Sequence, residues 1–198
     1  FPEIIPIFPL SGVIYFPKTN LPLNIFEERY LNLVNDSYKG NKLIGMVQSR
    51  KNKSSVYKIG CLGKISQYQK SEDGRILINL TGLTRFEIVN EVDNKKLYRE
   101  FRVNYKNYFA DSNIFSGQDD IQKLLNKAKI FLKRNGLILN WKEFDKLDES
   151  QKINTLAMIA PVTNEEKQKL LESVSAQDMI KNLDDIISFY LHETSESN

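Results

Sequence analysis

A chain of 198 residues, 41% of them hydrophobic, makes one large domain or two small ones with a sizeable core, since at this size roughly 70% of the unfolded surface is buried. Charged residues at 27% are ordinary for a soluble globular protein, and a net charge of +3 is too mild to imply a polyanionic partner by itself. The lone Cys61 excludes an intramolecular disulfide and fits a reducing compartment, and no stretch approaches the ~18 consecutive apolar residues of a membrane span, so the chain reads as a cytoplasmic protein.

Five of the six prolines lie between Pro2 and Pro22, each among aliphatic or aromatic residues. Proline fixes φ and removes a backbone donor, so this stretch is expected as short extended segments joined at kinks, outside the middle of a regular sheet, with its side chains still buried. A helix follows over 27–39: Tyr30, Val34 and Tyr38 share a face, Leu31 and Leu33 flank it, two acids open it, and Gly40 supplies the stop. Strand signals come next. An apolar run covers 43–48, and β-branched, aromatic and glycine residues fill 57–68, where Gly60 and Gly63 point to a bulge or a close backbone approach. Glu72-Asp73-Gly74 reads as a hairpin turn. Beyond it Ile76, Ile78 and Leu80 share a face, and Phe86 and Ile88 repeat the alternation after Gly82. The stretch 98–105 alternates most cleanly, with Phe101, Val103 and Tyr105 opposite Glu100, Arg102 and Asn104.

After Phe109 the character changes. A polar connection over 110–117 leads to a helix over 119–135, with Ile121, Leu124, Leu125, Ala128, Phe131 and Leu132 on one stripe and Gly136 as its cap. A short turn is expected around 141–144. Asp148 starts a helix that Pro161 ends, and Thr163 with Glu166 and Ser175 with Asp178 read as capping boxes of two more. The organisation is α+β: a closed, irregular β-module with one inserted helix over 1–110, then a helical bundle over 118–198 whose acidic end is frayed from about 193.

Catalytic chemistry finds no parts in this sequence. Gly60-Cys61-Leu62-Gly63-Lys64-Ile65 echoes a phosphate loop, but the glycines are too close and Ile65 stands where a magnesium-binding Ser or Thr is needed. His192, the only histidine, sits in the last helical turn, and Cys61 reads as a buried strand cysteine. One cysteine and one histidine also exclude the common zinc sites. Residues 39–70 carry eight basic residues and no acid, with Tyr57 and Tyr68 nearby. That run is either a solvated lysine face, the favoured reading, or a nucleic-acid surface on which Arg50, Lys51 and Lys53 would carry the contacts. Phe26, Glu27, Arg29 and Tyr30 are the candidates for recognition of an apolar segment. The plainer reading of the four is that Phe26 and Tyr30 staple the helix to the β-module while Glu27 and Arg29 tie neighbouring loops.

The run Leu21-Pro22-Leu23-Asn24-Ile25-Phe26-Glu27-Glu28-Arg29-Tyr30 resembles the N-terminal substrate-recognition domain of ATP-dependent Lon proteases, in the form found as a stand-alone bacterial protein without the protease. Gly60-Cys61-Leu62-Gly63-Lys64-Ile65, Asp73-Gly74-Arg75 and Leu80-Thr81-Gly82-Leu83-Thr84-Arg85-Phe86 look like its successive strands, in order and at its spacing. Asn154-Thr155-Leu156-Ala157-Met158 and the run 166–172 resemble the C-terminal bundle of the stand-alone form.

The resemblance implies a pseudo-barrel of the kind shared with PUA domains, followed by a helical bundle. It also implies a non-catalytic protein, without cofactor or metal, that recognises unfolded or hydrophobic polypeptide segments as an adaptor in ATP-dependent proteolysis. Apolar client segments would be buried on the β-module, with the bundle shaping one wall. The partners so implied are client polypeptides and a cytosolic ATP-dependent protease, with no membrane. RNA binding through the PUA-like module and the basic 39–70 surface is the alternative.

Overall fold

Over the described residues, 1–50, 55–108 and 118–196 of a computed structural model, the chain forms β1 (Ile4–Leu10), β2 (Asn20–Ile25), α1 (Glu28–Lys39), β3 (Leu43–Gln48), β4 (Ile59–Lys70), β5 (Ile76–Val92) and β6 (Glu100–Asn104). The helices α2 (Gln118–Arg134), α3 (Trp141–Phe144), α4 (Glu149–Ile159), α5 (Asn164–Leu171) and α6 (Ala176–Glu196) follow. Packing divides the chain into two units, Phe1–Phe109 and Ala110–Asn198.

In the first unit the strands run in the order β2-β5-β4-β3-β1-β6, and a further pairing of β5 with β6 closes the last five into a ring. β5 makes this closure possible. Its first half lies between β2 and β4, and its second half between β4 and β6. The two apolar stretches read on either side of Gly82 are thus one strand of 17 residues, bent where the β4–β5 register shifts at Leu62/Gly63 and Ile65/Gln67. Glycine is required where strands and loops approach closely near it. A Cβ on Gly60 would stand 2.5 Å from the Met46 carbonyl oxygen and 2.7 Å from Phe86, and one on Gly82 would meet the Phe16 carbonyl. Alternation then fills the ring, with Ile5, Ile7, Leu62, Phe86, Phe101 and Val103 inside. Cys61 is buried in β4. Gly74, at φ +87°, makes the hairpin turn.

The prolines of β1 overturn the expectation that they keep this segment out of a sheet interior, because β1 has a neighbour on each side. It changes partner along its length: Ile4–Pro6 pair with β6, Ile7–Leu10 with β3. The Ile7 N–H donates to the Arg99 carbonyl (3.0 Å), and the Leu10 carbonyl accepts from the Ser49 N–H (2.9 Å). Odd-numbered residues therefore turn their main chain toward β6 and even-numbered ones toward β3. Pro6 faces β3 one residue before that pairing begins, and Pro9 faces the β6 side beyond its last pair. Each proline falls where the missing N–H has no strand to bond.

Helix α1 begins one residue later than the sequence suggested, with Glu27 at its N-cap but making no side-chain cap bond. Tyr30, Leu33 and Val34 are buried, whereas Tyr38 is partly exposed and stacks on Tyr68 of β4 at 4.2 Å. Gly40 ends the helix with its N–H shared between the Asp36 and Ser37 carbonyls, and the left-handed residue of the turn is Lys42 (φ 63°).

In the second unit α2 buries all six residues of its apolar stripe, and its Phe131 ring meets Tyr190 of α6 at 5.6 Å. Lys127 of α2 pairs with Asp184 of α6 at 2.8 Å. Gly136 caps α2 at φ +71°. Asp148 with Gln151 and Thr163 with Glu166 form reciprocal capping boxes, and Ser175 with Asp178 exchanges the same pair of bonds. α6 stays helical through Glu196 rather than fraying from 193, since no glycine or proline follows Leu191 to stop it.

Candidate functional site

The pairing of β1 with β6 ends at Pro6. Beside it lies a cleft of about 680 Å³ whose lining residues run from Ile7 to Arg99 and so belong entirely to the first unit. The end of β2 and the start of α1 supply Leu23–Tyr30 apart from Glu28, β1 supplies Ile7–Leu10, and the turn before β6 supplies Leu97, Tyr98 and Arg99. The four recognition candidates, Phe26, Glu27, Arg29 and Tyr30, are brought together on this one cleft.

Their roles differ from the stapling arrangement. Tyr30 is buried, stacked on Phe8 at 4.1 Å, and anchors α1 against β1. Phe26 staples nothing: it is 67% exposed. Glu27 and Arg29 tie no loops, but pair with each other (2.8 Å) while the Arg29 guanidinium lies over the Tyr30 ring at 4.5 Å. The physical cause is the turn into α1, whose first residues point outward before the helix reaches its buried face at Tyr30.

The opposite wall was not read from the sequence. Leu97 is 61% exposed, although it sits in a turn beside Lys95 and Lys96, and an exposed leucine in such a polar turn is the signal that could have found it. Tyr98 fixes that turn by donating its hydroxyl to Asp36 of α1 (2.9 Å), and Arg99 makes a two-pronged contact with Glu91 of β5 (2.7 and 2.6 Å).

Electrostatically the cleft is quiet. Burial is the main cause holding the Tyr30 phenol above its ordinary pKa; Arg29 and Arg99 pull it down and Glu27 pushes it up, and the group stays protonated at neutral pH. The hydrogen bond from Arg99 holds the Glu91 carboxyl below the usual carboxylate range. The three charged lining residues, Glu27, Arg29 and Arg99, thus all have ion-pair partners, and beside the exposed Glu27–Arg29 pair and Asn24 the lining also exposes the large apolar side chains of Phe26 and Leu97. Among the described residues no group of three or more His, Cys, Asp or Glu side chains could hold a metal ion, and no helix is long and apolar enough to cross a membrane.

Of the basic alternative, Arg50 is exposed with its guanidinium 4.5 Å over the Tyr57 ring, while Lys51 and Lys53 lie outside the described residues. Tyr68 is engaged within the fold, stacked on Tyr38 and donating to Asn35 (2.9 Å). The two tyrosines read as stacking platforms therefore already carry partners of their own.

The first unit is thus a closed β-ring with an inserted helix and a cleft whose charged side chains are paired. The family is shown directly: residues 4–188 match the model of the ATP-dependent protease La (LON) substrate-binding domain, and the chain belongs to that family. A Lon protease of Dictyoglomus thermophilum is 23% identical over 96% of this chain and 24% of its own length, and one of Cytophaga hutchinsonii is 31% identical over 48% of this chain and 12% of its own. The chain thus spans about a quarter or less of the length of these relatives. The fold is that of the N-terminal domain of a Mycobacterium avium complex Lon protease (TM-score 0.70, 17% identity, covering 94% of this chain and 98% of that one). It is also that of a Lon N-terminal domain protein from Xanthomonas campestris (TM-score 0.66, 19% identity, covering 93% and 97%).

Proposed function

We propose that this chain binds unfolded or apolar polypeptide segments in the cleft between β1, the β2–α1 junction and the turn before β6, and that it does so without catalysis, as the recognition element or adaptor of a cytoplasmic ATP-dependent proteolytic system. The carrying observation is the exposure of Phe26 and Leu97 on the rim of a cleft floored by the Phe8–Tyr30 stack. A large apolar side chain left in water on a rigid rim gains when a partner covers it, by roughly 1.5–3 kcal/mol for full burial. A client that covers both residues and places one apolar side chain of its own in the cleft reaches useful affinity with little sequence selectivity. Family membership supports the same reading, since the family is defined by substrate binding in a protease.

The test is equilibrium binding of the whole chain to a reduced, carboxymethylated and therefore permanently unfolded polypeptide, with Phe26→Asp and Leu97→Asp variants alongside. Each substitution should weaken binding about tenfold, on the order of one lost apolar contact, with the melting temperature unchanged because both side chains are exposed. Unaltered affinity in the double variant would remove the cleft from the account.

A further inference from the structure

Two of the prolines that dominate the N-terminal sequence lie on open strand edges: Pro9 in the lining of the cleft, and Pro22 in β2, one residue before the part of that strand that lines it. Just before β2, the Gly82 N–H of β5 donates to the Thr19 carbonyl and the Lys18 N–H to the Gly82 carbonyl, both at 2.9 Å, which sets the parity of the β2–β5 pairing. Even-numbered residues of β5 therefore face β2, and the pairs that bond are Leu21↔Leu80, Leu23↔Ile78 and Ile25↔Ile76. Asn20, Pro22 and Asn24 turn their main chain the other way, and among the described residues β2 pairs with β5 alone. At the centre of that open edge stands Pro22, exposed and without an N–H. The second open edge is the C-terminal half of β1 on its β6 side, where Pro9 is the residue whose main chain faces outward beyond the last pair. Pro9, Leu23 and Asn24 all line the cleft.

An extended polypeptide adds to a sheet by exchanging main-chain bonds with alternate residues of an open edge, and a proline there removes a donor and places its ring in the path. From this we infer that Pro9 and Pro22 set the specificity of the cleft: they close both neighbouring edges to strand addition, so a client is held by its apolar side chains alone and copies of the domain do not pair edge to edge. This rests on the client-binding reading above for its first half and on the fold alone for its second. A recognition domain that meets unfolded chains is exposed to β-prone segments continually, and an open edge beside its cleft would be a template for them.

Two measurements decide it. In the first, the whole chain carrying Pro22→Val or Pro22→Ala is compared with wild type by sedimentation equilibrium. Pro22 is exposed and its neighbours already have extended geometry, so both variants can keep the fold, which circular dichroism verifies. Restoring the central donor should raise self-association roughly tenfold or more, with the β-branched variant the stronger; a folded variant that remains as monodisperse as wild type overturns the inference. The second compares a Leu- and Phe-rich peptide with the same peptide N-methylated at alternate residues. Side-chain capture predicts affinities within about threefold of each other, whereas a strand-added peptide deprived of three bonds would lose roughly a hundredfold, and that loss also overturns it. If neither peptide binds, the client reading fails, and the Pro22 variants still decide the edge question.

Discussion

Phe26 and Tyr30 stand four residues apart on the same junction and do opposite work. Tyr30 is 7% exposed and packs on Phe8, so Tyr30→Ala should cost about 3–5 kcal/mol of stability, read by urea unfolding, as expected for a large aromatic lost from a core. Phe26→Asp should cost less than about 0.5 kcal/mol, the range of exposed substitutions, and act on binding instead. Comparable destabilisation by the two would contradict the geometry of the α1 start. Titration gives a second check at this scale. Burial pushes the Tyr105 phenol up to about 12, and its hydroxyl donates to the Pro2 carbonyl at 2.8 Å. A pKa raised by folding means that the folded state holds the proton more tightly. The stabilisation is complete below the unfolded value near 10 and is lost as the pH climbs through about 12, at a limiting slope of about 1.4 kcal/mol per pH unit. Tyr105→Phe should flatten that alkaline limb by one proton. An unchanged slope would mean the phenol is not buried in solution.

At the scale of elements, glycines and caps carry the sharpest expectations. Gly60→Ala drives a Cβ against the Met46 carbonyl, a main-chain atom that can retreat only if β3 moves, and should cost about 1–3 kcal/mol. Thr163→Ala removes a reciprocal capping box and should cost about 1 kcal/mol, with hydrogen exchange speeding up first in α5; faster exchange throughout the β-ring with α5 unaffected would contradict it.

Legibility followed the range of the interaction. Thr163 with Glu166, Asp148 before α4, Gly136 after α2 and Gly74 in the hairpin announced themselves because each acts within a few residues of itself. The alternation of β6 was equally plain, since the Phe101–Val103–Tyr105 face needs no partner to be recognised. The pairing of β1 was not legible: whether a proline is tolerated in a strand depends on which neighbour its main chain faces, and β1 changes neighbour between Pro6 and Ile7. The cleft was half legible for the same reason. Its Phe26–Tyr30 side is one local turn, whereas Leu97 and Arg99 arrive through the Ile7–Arg99 contact, which joins residues 92 positions apart in sequence.

For the whole molecule, membership of a substrate-binding-domain family and the cleft beside the closed ring are what support the proposed recognition of polypeptide. The competing surface, the basic run through 39–70, differs in its physics: charge-driven binding weakens steeply with salt, and burial of apolar surface does not. The decisive measurement is the affinity of the whole chain for a permanently unfolded polypeptide across roughly 0.05 to 0.5 M salt. Burial of apolar client side chains predicts an affinity constant within about threefold over that range, reduced about tenfold by Phe26→Asp and untouched by neutralising Arg50, Lys51 and Lys53. No binding at either end, or binding that collapses with salt and with those three substitutions, would contradict it.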